Sequence, residues 1–189
     1  MTANEDPRHE AQMKRLSKFL SLLLRHRPER FPIRMDAEGY ANLHEVMQIL
    51  HGLPNFRWAN RADVDAVVAA GDPPRFEITG SRIRALYGHT ALRPTYETVV
   101  PPPLLYHGTS AEALEPILQE GLHPTEQSYV RLAVTADAAR SSALHATLEP
   151  IILRIDAAAA HAAGSTFYQP TETVYLSEAI PPQFITRES

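Results

Sequence analysis

Between His89 and Pro103 the chain carries four prolines, Pro94, Pro101, Pro102 and Pro103, and shows no helical period. Each proline fixes φ, removes a backbone donor and pushes the residue before it toward extended geometry, so neither a helix nor a central strand runs comfortably through this stretch. The segment predicts a linker over residues 93–103, with one lobe over residues 1–92 and another over residues 104–189. A chain of 189 residues with 44% hydrophobic content is long and apolar enough for two small packed lobes.

In the first lobe, Leu16, Phe19, Leu20, Leu23 and Leu24 recur at helical spacing, while Lys14, Lys18 and Ser21 fall on the opposite side. The spacing predicts an amphipathic helix over residues 11–27, stopped by Pro28. Arg25, His26 and Arg27 then occupy its last turn, where the helix dipole favours cations. Asn42 is placed to cap a second helix over residues 42–50, with Leu43, Val46, Met47 and Leu50 facing inward. A third helix starts near Arg61 or Ala62 and turns Val64, Val67 and Val68 to the core. Residues 75–78 and 82–85 alternate around Thr79-Gly80-Ser81, a β-hairpin pattern. Three helices followed by a hairpin predict a winged-helix-like lobe.

The second half mixes the two periods. A short strand over residues 104–106 enters His107-Gly108-Thr109, and a helix over residues 110–120 carries Leu114, Ile117 and Leu118 before Gly121 at its C-cap. Further strands are expected over residues 130–135, 151–155 and 173–176, and further helices over 136–148 and 157–163. The expected fold class is α+β.

Composition narrows the chemistry. The absence of cysteine removes disulfides, thiolate nucleophiles and Cys-ligated metal centres. No glycine-rich phosphate loop, no G-x-G-x-x-G fingerprint and no H-E-x-x-H cluster is present, so no metal is implied. Residues 1–10 are polar rather than signal-like, and no stretch approaches the roughly 18 apolar residues of a membrane span. A soluble, cytoplasmic protein that does not enter a membrane is expected, and a monomer. Residues 1–90 hold 13 Lys+Arg against 11 Asp+Glu, a net of +2, whereas residues 91–189 hold 5 against 11, a net of −6. A polyanion should prefer the first half.

Taken singly, the polar motifs leave alternatives open. His107-Gly108-Thr109 reads as a ligand-facing loop or, more often for so short a motif, as a turn with a surface histidine. Arg25-His26 reads as an anion site or as ordinary compensation of a helix dipole. Arg75 and Arg131 are unremarkable in isolation.

Their order along the chain is more specific. Residues 16–29 (LSKFLSLLLRHRPE) end in Arg-His-x-Pro; Asp36 to Tyr40 form an acidic-Gly-aromatic turn; Arg75-Phe76 and the Ile83 to His89 segment follow. Pro102 to Thr109, Gly121-Leu122 and Val174-Tyr175-Leu176-Ser177 complete the series. In this order and spacing the chain resembles the NAD-dependent RNA (tRNA) 2'-phosphotransferase family over residues 16 to about 186. The resemblance implies a catalytic quartet of Arg25, His26, Arg75 and Arg131. It implies NAD as co-substrate, bound with the help of His107, Gly108, Thr109, Gly121, Thr135 and Val174. Thr135 stands where the family has a histidine, and Leu144-His145-Ala146 where it has Arg-His-Gly. The resemblance further implies a winged-helix-like RNA-binding lobe packed on an ADP-ribosyltransferase-like lobe, acting on 2'-phosphorylated RNA. Two other readings are an ADP-ribosyltransferase that modifies phosphorylated nucleic-acid ends or another acceptor and stops there, and a non-catalytic winged-helix nucleic-acid-binding protein.

Overall fold

A computed structural model describes residues 7–188. The chain is mixed α/β and divides into two compact units, Met1–Thr95 and Tyr96–Ser189, and the described residues form six α-helices and two sheets.

In the first unit, α1 (Pro7–Ser21) buries Leu16, Phe19 and Leu20, as its apolar spacing dictates. The chain does not continue as an α-helix to residue 27. Leu22–His26 is a π-helix, in which the Arg27 N–H donates to the Leu22 carbonyl at 2.8 Å. Pro28 lacks the N–H that would have bonded the Leu24 carbonyl, so the regular ladder has no continuation there. The wider turn still delivers Leu23 and Leu24 to the core, both fully buried. A 3-10 turn, Pro28–Arg30, follows.

The short strand β1 (Ala41–Asn42) leads directly into α2 (Leu43–Gly52), whose first turn is capped by the Asn42 side chain accepting from the His44 N–H at 2.8 Å. Leu43, Val46, Ile49 and Leu50 are its buried face; Met47 is half-buried. The next helix, α3 (Arg61–Ala69), starts with a capping box: the Asn60 side chain accepts from Ala62 and Asp63, and the Asp63 carboxylate accepts from the Asn60 N–H. The hairpin of β2 (Phe76–Thr79) and β3 (Arg82–Ala85) falls where alternation placed it. β1 adds antiparallel on the far side of β3, giving the order β1-β3-β2. Two residues are too few to show a period, so the sequence carries no sign of this strand.

The second unit is built on one seven-stranded antiparallel sheet of order β10-β7-β5-β6-β9-β8-β4. Its strands are β4 (Thr98–Val99), β5 (Leu104–Thr109), β6 (Val130–Ala133), β7 (Ile151–Asp156), β8 (Phe167–Tyr168), β9 (Val174–Ser177) and β10 (Ile185–Arg187). β4 lies inside the proline-rich stretch and pairs with β8. Three helices accompany the sheet: α4 (Ala111–Glu120), α5 (Ala136–Ala143) and α6 (Ala157–Ala162). α5 ends well short of residue 148: Leu144 and Leu148 are exposed, so no apolar face continues, and the Ala143 carbonyl takes the N–H groups of Ala146 and Thr147 in a turn. Leu105, Leu132, Leu153, Ile155 and Phe167 form a dry centre, each contributing on the order of 1.5–3 kcal/mol by burial.

β5 runs through His107, Gly108 and Thr109 instead of ending before them. Its register with β7 sets His107 opposite Leu153 and Gly108 opposite Ile152. Gly108 has to be glycine for steric reasons: a Cβ there would lie 2.6 Å from the Ala139 carbonyl oxygen and 2.6 Å from the Ala143 Cβ. α5 therefore crosses β5 in backbone-to-backbone contact at this point.

Candidate active site

In the first unit, the π-helix presents Arg25 and His26 side by side. The Arg25 guanidinium donates from Nη2 to the Arg75 carbonyl at 3.1 Å. It also lies 5.2 Å from the Phe76 ring centre and 5.2 Å from that of Tyr87. The Arg75 guanidinium approaches the same Phe76 ring, at 5.7 Å. Two guanidinium groups thus share one aromatic support, next to His26. Such fixed, permanently charged forks match a dianionic phosphate.

His26 Nδ1 lies 3.0 Å from the Thr90 hydroxyl oxygen. Partial burial, then the neighbouring Arg25 and Arg27 charges, hold its imidazole below the usual histidine range. A neutral ring at pH 7 is the consequence. One position before Thr90, His89 is almost wholly buried, and burial followed by the Arg25, His26 and Arg84 charges pushes it down to about 3.

In the second unit, a cavity of about 840 Å³ opens beside β5 and β6. His107, Gly108, Thr109, Gly121 and Arg131 line it together with Tyr129. The His107 Nδ1 is 2.9 Å from the Arg131 carbonyl oxygen, which only accepts, so Nδ1 carries the proton and Nε2 is left as an acceptor. Burial lowers the His107 pKa, partly opposed by that backbone bond, and keeps the ring neutral. A smaller recess continues from Gly108 and Thr109 past Ser110 and Glu112 to Ala143, Ala146 and Thr147.

The residues singled out from the sequence thus separate into two groups. Arg25, His26 and Arg75 are neighbours in the first unit. His107, Gly108, Thr109, Gly121 and Arg131 share one cavity in the second. Thr135 lies outside that lining and caps α5, its hydroxyl accepting from the Ala138 N–H at 3.2 Å. Val174 is buried in β9, paired with Ala133. His145, of the Leu144-His145-Ala146 segment, also lines the cavity, as do Tyr129 and His123, and Thr90 touches His26; nothing in the sequence spacing marks these last three. Among the described residues, no group of three or more His, Asp or Glu side chains is placed to hold a metal ion. No helix of the described residues is long and apolar enough to cross a membrane.

The protein family described as "RNA 2'-phosphotransferase, Tpt1 / KptA family" matches residues 11–179. The chain belongs to this family. It is 39% identical over 176 residues to a "Probable RNA 2'-phosphotransferase" of Pseudomonas aeruginosa, covering 89% of this chain and 93% of that one. A relative of the same description from Agrobacterium fabrum is 38% identical, with 90% and 91% covered. One from Acetivibrio thermocellus is 32% identical, with 92% and 96% covered. The segment matched to the RNA 2'-phosphotransferase family contains Arg25, His26, Arg75, His107, Arg131 and Val174 alike.

Proposed function

We propose that the protein removes an internal 2'-phosphate from RNA by transferring it to NAD, giving 2'-hydroxyl RNA, nicotinamide and ADP-ribose 1'',2''-cyclic phosphate. The observation that carries this reading is the pair Arg25 and Arg75 on one aromatic support, with His26 next to Arg25, in a chain of the RNA 2'-phosphotransferase family.

NAD, as co-substrate, supplies an anomeric carbon that the RNA phosphate attacks as nicotinamide leaves, and a 2''-hydroxyl that then attacks the transferred phosphate. Arg25 and Arg75 orient the phosphate and stabilise the charge that builds on it during transesterification, and Arg131 supplies fixed positive charge in the cavity of the second unit. His26 contacts the phosphate or moves a proton in the second step. On the cofactor side, the cavity of about 840 Å³ falls in the size range of small-molecule sites. The neutral His107 offers Nε2 to a ribose hydroxyl, and Gly108 and Thr109 line the same cavity. Under this reading the first unit acts as a winged-helix-like RNA lobe and the second as an ADP-ribosyltransferase-like NAD lobe.

Incubation with NAD and a short 2'-phosphorylated RNA, followed by mass analysis of both products, tests the proposal. Loss of the 2'-phosphate with appearance of the cyclic ADP-ribose phosphate is the expected result. A stable ADP-ribosyl adduct as the sole product would make the protein an ADP-ribosyltransferase instead. RNA binding without release of nicotinamide would make it a non-catalytic binder.

A further inference from the structure

We infer that Thr90 is a positioning residue for His26: its hydroxyl holds the imidazole at Nδ1 and so dedicates Nε2 to the substrate. The inference rests on the reading above, in which His26 serves the phosphate.

The argument starts from an unsatisfied helix end. The last carbonyls of a helix have no intrahelical donors. Here the Arg27 N–H is used by Leu22, the Arg30 N–H by Arg27, and Pro28 has none. The Arg25 carbonyl is instead satisfied from far along the chain, by the N–H groups of Thr90 at 3.0 Å and Ala91 at 3.1 Å. The loop that supplies them also passes against the Arg25 side chain. At Gly88, with φ +83°, a Cβ would sit 3.4 Å from Arg25 Nη1. One loop therefore grips the carbonyl and the guanidinium of Arg25, and through the Thr90 hydroxyl the ring of His26 at 3.0 Å.

The chemistry of the Thr90 grip differs from that on His107. A carbonyl only accepts and locks a histidine in one tautomer; a hydroxyl both donates and accepts. With Nδ1–H donated to Thr90, the Nε2 of His26 is an acceptor in the neutral ring and a donor in the imidazolium, and the ring need not turn between the two. A histidine χ2 is otherwise broad and two-fold, whereas the β-branched Thr90 is stiff at χ1. The bond thus removes rotational freedom from the group that has to meet a phosphate in one orientation.

The test compares wild type with Thr90→Val and Thr90→Ser in two independent measurements. Nitrogen-15 NMR of the His26 ring in the substrate-free protein reads the bond directly. A hydrogen-bonded Nδ1 shift is expected in the wild type and in Thr90→Ser, and its loss in Thr90→Val. Turnover of 2'-phosphorylated RNA with NAD reads the consequence. Thr90→Val should lower kcat by roughly 10- to 100-fold and accumulate ADP-ribosylated RNA, a part of the roughly 10²–10⁴-fold a positioned acid–base group contributes. The KM for NAD should stay within about 3-fold and Thr90→Ser should recover most of the rate. A loss of melting temperature without this kcat-against-KM split would reduce Thr90 to a structural residue and overturn the inference, as would Thr90→Val turning over like wild type or showing an unchanged His26 spectrum. If the wild-type protein itself yields no dephosphorylated RNA, the proposed activity falls, while the spectra still decide whether Thr90 holds the ring.

Discussion

The Nδ1 of His107 and the backbone carbonyl of Arg131 lie 2.9 Å apart, on neighbouring strands β5 and β6. Because the carbonyl can only accept, His107 is held as the Nδ1–H tautomer, which leaves Nε2 as an acceptor. Replacing His107 by Ala should raise the KM for NAD about 10-fold, equivalent to ~1.4 kcal/mol for one lost hydrogen bond. Because burial depresses its pKa, NAD affinity should stay flat as pH falls through the ordinary histidine range. Steady-state kinetics against NAD at several pH values check both statements.

Arg25→Lys keeps the charge but cannot keep the fork. A lysine has no second nitrogen to reach the Arg75 carbonyl while facing a phosphate, and no planar group to sit between Phe76 and Tyr87. We expect turnover about 100-fold lower, the magnitude of losing one preorganised donor, with ADP-ribosylated RNA accumulating. Single-turnover assays on 2'-phosphorylated RNA would show the adduct; its absence, with wild-type rates, would remove Arg25 from the phosphate site.

Gly108→Ala should destabilise the protein by about 1–3 kcal/mol, the usual cost of overpacking. The new methyl would meet the Ala139 carbonyl and the Ala143 Cβ, both at 2.6 Å, and relief requires α5 to lift from the sheet. Urea-denaturation midpoints of the two proteins measure it. Equal midpoints would mean that α5 does not rest on β5 as described.

His89 makes stability depend on pH. Its folded pKa of about 3 lies below the ordinary 6.5, so the unfolded chain binds the extra proton first. The contribution of the neutral ring is complete above pH about 6.5 and is lost as pH falls from there through about 3. His89→Gln, which cannot titrate, should flatten the stability–pH curve across that window, measured by chemical denaturation at fixed ionic strength.

Much of the first unit is legible in the residues themselves. Leu16, Phe19, Leu20, Val46, Leu50, Val64 and Val67 are buried because their spacing leaves no other face to bury, and Asn42 caps α2 with its own side chain. The hairpin around Gly80 follows from alternation and turn chemistry. The strand character of His107 and Gly108 was less legible, because a glycine beside polar residues reads locally as a turn; the six-residue ladder with β7 overrides that preference.

The sequence alone determined where helices could start and stop, which faces are apolar, and the order of motifs that marks the RNA 2'-phosphotransferase family. Those are properties of neighbouring residues, and neighbours carry them. Only the tertiary structure decided that the last turn of the first helix widens into a π-helix, that Arg25 and Arg75 share Phe76, and that Thr90 reaches His26 across 64 positions. It also decided the tautomer of His107, through a carbonyl 24 positions away. Contacts at such separations have no period and no local propensity; they exist because packing brings the partners together and because a buried polar group has to find one.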